Sequence, residues 1–231
     1  MVTYIDQELA QAIDVELMDP SIGGFSIDQL MELAGLSVAQ SIQHCFPDSK
    51  KIFVCVGPGN NGGDALVASR HLKLFGYSPV IYYPKRPSGQ LFKNLITQCQ
   101  QFELLFVDSM EDLGDFDLIL DGFFGFSFKK PVREPFLTAL KVTETTNIKA
   151  IQLSTVPIVS IDIPSGWDVI EGSDEDSIQP AMLISLTLPK LGAKRFKGIH
   201  YLGGRFVYPD LAKRYSLLIP TYEGSKQFTI L

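Results

Sequence analysis

The sequence contains few cysteines, and they lie far apart. Cys45, Cys55 and Cys99 are the only three among 231 residues, so a disulfide framework and a C-x-x-C metal or redox motif are both excluded. The three histidines likewise lack the spacing of metal ligands. We therefore expect a protein of a reducing compartment, cytoplasmic or also mitochondrial.

Long apolar runs are missing too. No stretch of about 18 uncharged apolar residues occurs, which predicts that no helix spans a membrane. The first residues include Asp6 and Glu8 but not the basic segment and apolar run of a secretory signal. The net charge of −6 and the pI of about 5.1 argue against nucleic-acid binding. We expect neither nucleic acid nor membrane among the partners.

Common catalytic motifs are also absent. No Gly-Lys-Ser/Thr follows the glycine-rich stretch near residue 60, so it is not a P-loop, and no Gly-x-Ser-x-Gly elbow supports a serine hydrolase. Gly57, Gly59 and Gly62 have the spacing of the dinucleotide fingerprint, but such a match is a weak, partial signal on its own.

The glycine-rich stretch joins a predicted strand to a predicted helix. Residues 52–56 are apolar or β-branched, residues 57–64 read Gly-Pro-Gly-Asn-Asn-Gly-Gly-Asp, and a helical apolar pattern follows. Glycines let backbone N–H groups approach a ligand, and a helix N-terminus favours an anion. Because Asn60, Asn61 and Asp64 add polar groups that a plain turn does not need, we interpret this segment as part of a binding site.

The rest of the chain predicts alternating helices and strands. Two amphipathic helices come first, at 5–18 and, capped by Ser26, at 27–45. Further strands are predicted at 79–83, 104–107, 116–122, 156–163 and 181–188, helices at 89–102 and 135–147, and one or two short strands within 200–219. Strands separated by helices form parallel sheets that are covered on both faces. At this length we expect one domain over residues 1–231.

Four of the predicted buried strands end in polar or glycine-rich segments. These segments are 60–64, 121–125, 162–166 and 187–190. Ligands of open α/β sheets bind beyond the carboxyl ends of the strands, so we expect the four segments to form one site.

Two acids in these segments, Asp121 and Asp162, directly follow apolar residues. Burial opposes a carboxylate charge unless a cation or hydrogen-bond donors compensate it. With asparagine and serine oxygens nearby, the two acids suit a hard cation, and Mg²⁺, Ca²⁺ and an alkali ion all remain open.

Basic residues indicate an anionic, phosphate-bearing ligand. Lys129 and Lys130 lie in the glycine- and aromatic-containing segment 125–131. A second cluster follows the last buried strand and contains Lys190, Lys194, Arg195 and Lys197.

Together these segments resemble the NAD(P)H-hydrate epimerase family, of the YjeF N-terminal type. The resemblance rests on four motifs in order: the turn at 57–64, Asp-Gly-Phe-Phe-Gly at 121–125, Ser-Ile-Asp-Ile-Pro-Ser-Gly at 160–166 and Thr-Leu-Pro-Lys at 187–190. The segment 26–35 is similar to the family's leading helix. One departure is Ala65, where the family commonly has glycine.

The resemblance implies a three-layer α/β/α Rossmann-like fold with a mostly parallel sheet and the N-terminal helices packed on it. It implies an isomerase that interconverts the R and S forms of hydrated NADH and NADPH (NADHX and NADPHX) at C6 of the nicotinamide ring. A separate dehydratase would then act on the S form. Members of the family are often homodimers.

The resemblance also implies roles for single residues. Asp162 would lie beside the reacting ring, and Asn61, Asp121 and Ser165 would hold one potassium ion per subunit, which selects the alkali option. As a hypothesis, Asp162 acts as general acid and base while Lys190 orients the hydroxyl or a phosphate. The expected substrate-binding residues are Asn60, Asn61, Gly62, Gly63, Asp64, Gly125, Phe126, Ser127, Phe128, Lys129, Lys130, Pro131 and Asp162.

Two other functions are alternatives to an epimerase, a binding module and a phosphotransferase. The fold also resembles binding modules reported for an mRNA-decapping enhancer and an apolipoprotein-binding protein, in which a degenerate site would be expected. Here both acids, both asparagines and Lys190 are present, which favours chemistry. A phosphotransferase would need a phosphate-binding lysine or a Mg²⁺ acid pair close in sequence, and neither is evident.

Overall fold

The computed structural model of the protein describes residues 1–110, 112–140 and 151–231, and its centre is one eight-stranded sheet. The strands are β1 (Lys51–Val56), β2 (Ser78–Tyr82), β3 (Leu105–Val107), β4 (Leu118–Gly122), β5 (Ile158–Ile161), β6 (Met182–Leu186), β7 (Ile199–Gly203) and β8 (Phe228–Ile230). Their order across the sheet is β3-β2-β1-β4-β5-β6-β7-β8. The first seven run parallel, and only β8 pairs antiparallel with its neighbour. The predicted mostly parallel sheet is confirmed.

Helices cover both faces of the sheet. They are α1 (Gln7–Met18), α2 (Ile27–Cys45), α3 (Asn60–Leu74), α4 (Gln90–Gln101), α5 (Phe136–Leu140) and α6 (Pro209–Arg214). Helices α2, α3 and α4 bury an aliphatic face against one side of the strands, including Val38, Leu66 and Val54. The other side packs under α5, where Phe53, Phe123 and Phe136 are among the buried side chains. The three-layer α/β/α arrangement follows from this double cover.

The two N-terminal helices differ in what they pack against. Helix α2 contacts the sheet directly, as expected. Helix α1 instead buries Ile13 and Leu17 in a separate cluster with Leu188, Phe206 and residues of α6. The expected three-layer fold is confirmed, and within it α1 lies beyond the carboxyl end of β6. Among the described residues, no helix is long and apolar enough to cross a membrane.

The C-terminal region departs from the sequence prediction. Within 200–219, β7 ends at Gly203 and is one of the one or two short strands predicted there, but the next element among the described residues is an unpredicted helix, α6, which begins with Pro209. Proline at the first helical position has the φ angle that a helix requires, so this residue was a helix-start signal. The second strand, β8, lies further on. Of the helix predicted at 135–147, Phe136–Leu140 is observed, Pro135 is a turn residue before it, and 141–147 lie outside the described residues.

Candidate active site

The four polar strand ends meet around one cavity of about 490 Å³. Its wall is formed by the turn before α3, the segment after β4, the residue after β5 and the segment after β6, with α1 and α2 closing one side. Parallel strands bring their carboxyl ends to the same edge of a sheet, so this convergence follows from the topology. The expectation that the four segments form one site agrees with this geometry.

A buried ion pair lies at the floor of the cavity. Lys190 Nζ donates to Asp162 Oδ1 at 2.5 Å, and the two side chains are 3% and 6% exposed. Asp162 also accepts hydrogen bonds from the backbone N–H groups of Phe126, at 3.0 Å, and Leu186, at 3.4 Å. The carboxylate therefore has a cation and two neutral donors, which compensate its burial.

The backbone positions both partners of this pair. Asp162 has φ +66° directly after β5, a left-handed conformation that non-glycine residues rarely adopt. This bend turns the chain out of the sheet while Asp162 N still donates to Ile184 O at 2.7 Å. Lys190 Nζ donates in addition to two carbonyl oxygens of its own segment, Leu186 O at 3.0 Å and Leu188 O at 3.1 Å. The ammonium group is therefore fixed facing Asp162.

A second acid, Asp121 at the end of β4, is fully buried and compensated differently. Its oxygens accept hydrogen bonds from Ser160 Oγ at 2.8 Å, Ser165 Oγ at 2.6 Å, Ser165 N at 2.9 Å and Phe123 N at 3.4 Å. Burial raises the pKa of Asp121, and the bonds from Ser165 and Ser160 oppose that rise. All four donors are neutral, so the charge of Asp121 is dispersed but not neutralised.

Asn61, in the first turn of α3, is 8% exposed and lines the cavity. Its Nδ2 has no hydrogen-bond partner among the described residues. A Cβ added to Gly125 would lie 3.2 Å from both Asn61 Oδ1 and Asp162 Oδ2, so glycine allows the backbone to approach these oxygens. An unpartnered buried amide inside a cavity indicates a ligand there.

Two further carboxyl groups line the cavity without such compensation. Asp64 in α3 and Asp14 in α1 accept no hydrogen bond from any described residue. Burial raises the pKa of Asp64 well above its ordinary value, and the charges of Asp162 and Asp14 raise it further. Burial likewise raises the pKa of Asp14 to about 6, with Lys190 lowering it and Asp162 raising it.

The remaining wall is aromatic and apolar. Phe124 and Phe128 stack with their ring centroids 4.4 Å apart, and the Phe126 ring lies 4.9 Å from Lys190 Nζ. Leu30 and Met31 of α2 line the other side. Such a cavity offers flat apolar surfaces to a planar ring and a few fixed polar groups at its floor.

The chain matches the family model described as the YjeF-related protein N-terminus over residues 27–192, well over half of its length. The chain belongs to this family. It is also similar to a yeast protein of known crystal structure, ynu0 (YNL200c), at 40% sequence identity and a TM-score of 0.88. That match covers 99% of this chain and 100% of the yeast chain. The family resemblance expected from the four motifs is confirmed.

The structure places the residues that the YjeF-related resemblance implied in different positions relative to the cavity. Those that line the cavity are Asn60, Asn61, Asp64, Gly125, Phe126, Ser127, Phe128, Asp162 and Lys190. Asp121 and Ser165 are buried behind them, joined by the hydrogen bonds above. Gly62 and Gly63 do not line the cavity. A Cβ at Gly62 would lie 2.0 Å from Gly57 O, and a Cβ at Gly63 would lie 2.5 Å from Met31 Sδ, so both glycines allow close packing around α3. Their roles in binding stay predictions.

The expected basic surface is largely outside the cavity. Lys129 is exposed, Lys130 pairs with Asp174 at 2.7 Å, and Pro131 lies on the outer surface beside them. Lys194, Arg195 and Lys197 are exposed or partly so and do not line it either. Lys190 is the one cation on the cavity wall within the described residues. The structure thus divides Lys190 from the rest of the basic cluster.

Among the described residues, Asp14 is the charged lining residue that the sequence analysis missed. It lies on the same helical stripe as Ala10, Ile13 and Leu17, which are all buried. An acid inside the apolar stripe of an amphipathic helix is a usable signal, because charges there are rare without a function or a partner.

Proposed function

We propose that this protein epimerises NADHX and NADPHX at C6 of the hydrated nicotinamide ring. The observation that carries the proposal is the buried Asp162–Lys190 pair at the floor of an aromatic-walled cavity. Membership of the YjeF-related family supports the same assignment. A separate dehydratase acting on the S form and a homodimeric state rest on the family resemblance alone.

Epimerisation at C6 has two possible routes, loss and return of the hydroxyl group or opening and re-closure of the ring, and we propose the first. The C6–O bond breaks with its electron pair on oxygen, which takes up a proton and leaves as water. The lone pair of N1 then forms an N1=C6 iminium cation. Asp162, held by Lys190 as a carboxylate in a site sheltered from bulk water, stabilises that developing positive charge. No electrons are exchanged with a cofactor, in keeping with an isomerase.

The residues expected to hold potassium fit an alkali cation by their donor chemistry. Asn61, Asp121 and Ser165 offer only oxygen ligands, and Asp121 is buried among neutral donors. We therefore propose that these three residues hold K⁺, which would supply positive charge beside the cavity and order the segment after β4.

The experiment is conversion of R-NADPHX to S-NADPHX, followed by chromatography against the spontaneous rate. Asp162→Asn should reduce the enzymatic rate by at least about 100-fold, the scale on which general acid–base groups act. Asp115→Asn makes the same change at an exposed position and should leave the rate unchanged. A folded wild-type protein without activity would favour the alternative, a binding module that retains the cavity.

A further inference from the structure

Asp14 is fixed relative to the ion pair by the chain before it. Ile5 N donates to Pro189 O at 2.9 Å, and Leu191 N donates to Ile5 O at 2.9 Å, so residue 5 bonds on both sides of Lys190. Asp6 then caps α1, its carboxylate accepting from Leu9 N at 2.8 Å. Two helical turns later, Asp14 reaches the cavity wall. The segment that carries Lys190 and the helix that carries Asp14 thus form one packed unit.

Asp14 and Asp162 have opposite surroundings within one cavity. Asp162 has a lysine and two backbone donors, whereas Asp14 has no donor among the described residues. The charged groups that line the cavity with Asp14 are Asp64, Asp162 and Lys190, so two of the three are acids. Two carboxyl groups whose environments favour opposite protonation states are a recurring basis for separate acid and base roles.

We infer that Asp14 is a second catalytic acid–base group, which protonates the departing hydroxyl while Asp162 receives a proton from the entering water. This inference rests on the proposed function and adds a residue to it. Asp14 and Asp162 contribute to the cavity wall from different elements, α1 and the residue after β5, and the inference assigns one of them to each face of the ring. In the reverse direction their roles exchange.

The step balances in atoms and charge. The Asp14 proton moves to the C6 hydroxyl oxygen, the C6–O bond breaks with its pair on that oxygen, and the N1 lone pair forms the iminium. A water oxygen then bonds to C6 from the other face, N1 recovers its pair, and the surplus water proton passes to Asp162. Exchange with solvent returns the two carboxyl groups to their starting state.

The choice of Asp14 over Asp64 follows from how strongly each holds its proton. The pKa of Asp14 is raised to about 6, close enough to neutrality for the group both to give and to take a proton. The pKa of Asp64 is raised well beyond its ordinary value by deeper burial. Asp64 is also the more deeply buried of the two side chains, so Asp14 is better placed to exchange its proton with solvent.

The test compares Asp14→Asn with Glu8→Gln, which removes the same charge from an exposed position of the same helix. Asn keeps the size of the side chain but transfers no proton, so the rate of R-NADPHX epimerisation should fall at least about 100-fold. The wild-type rate should fall about tenfold per pH unit above about pH 6. Glu8→Gln should have the same epimerisation rate and the same pH dependence as the wild type.

A measurement without substrate supports the same test. The carboxyl ¹³C NMR spectrum of the wild-type protein should contain a resonance that titrates near pH 6. The spectrum of Asp14→Asn should lack this resonance, and the spectrum of Glu8→Gln should retain it. An active wild type with an equally active Asp14→Asn would overturn this inference alone. A folded wild type that does not epimerise would overturn the proposed function, and the inference with it.

Discussion

Lys190→Met is expected to destabilise the folded protein by about 3–5 kcal/mol, the usual cost of leaving one member of a buried ion pair alone. Lys190 is 3% exposed and Asp162 6%, so loss of the ammonium group leaves a buried carboxylate without its cation. Two carbonyl oxygens, of Leu186 and Leu188, lose their donor as well. Methionine fills most of the volume, so the loss reflects charge and hydrogen bonds more than packing.

The double variant Lys190→Met/Asp162→Asn should be much less destabilised than the sum of the single variants. It carries no unpaired buried charge, and an amide oxygen at position 162 can still accept from Phe126 N. We expect a coupling free energy of about 2–3 kcal/mol between the two positions.

Urea denaturation at pH 7 of the wild type, both single variants and the double variant measures this coupling. The exposed pair Lys226–Glu223, at 2.6 Å, is the matched control, and the cycle Lys226→Met/Glu223→Gln should show no measurable coupling. Additive effects at Lys190 and Asp162 would refute the buried ion pair as the organiser of the cavity floor.

Three further predictions concern stability. Gly57→Ala should lower the free energy of unfolding, measured by urea denaturation, by more than about 2 kcal/mol, because its Cβ would lie 1.7 Å from Phe123 O. Gly59→Ala is the control: its Cβ would have no atom within 4 Å, so it should lower the free energy of unfolding by less than about 1 kcal/mol. Burial lowers the pKa of His200 from 6.5 to about 4, so the folded state keeps its full stability above pH 6.5. The free energy of unfolding should then fall by about 3 kcal/mol as pH falls from 6.5 to 4. His200→Gln should not show this fall. Because the pKa of Asp14 is raised from 3.8 to about 6, the folded protein loses stability as pH rises through that range, so Asp14→Asn should be about 1–3 kcal/mol more stable than the wild type at pH 7 and no more stable at pH 3.

Much of the fold could be predicted because its signals are local. Ser26 and Gln29 form the capping box that starts α2, and the apolar runs of β1, β4 and β6 are buried on both faces. Parallel topology then places the strand ends together, which is why the polar residues after them could be assigned to one site. The short antiparallel strand β8 was not predicted from the sequence.

What the sequence could not supply is the direction in which side chains point. Lys130 and Lys190 both follow predicted elements, but Lys130 turns outward to Asp174 and Lys190 inward to Asp162. Asp14 was missed for a related reason. Its place on the buried stripe of α1 was visible, but only the packing of α1 beyond β6 brings that stripe to the cavity.

The most direct test of the account is epimerisation of R-NADPHX by the wild-type protein in H₂¹⁸O, with potassium and with sodium in its place. The account predicts S-NADPHX formation well above the spontaneous rate, faster with potassium, with ¹⁸O in the C6 hydroxyl because a different water molecule returns to the other face. A folded protein that leaves the rate at its spontaneous value would contradict the proposed enzyme. Rapid epimerisation without ¹⁸O would keep the enzyme but contradict loss of the hydroxyl group as its chemical step.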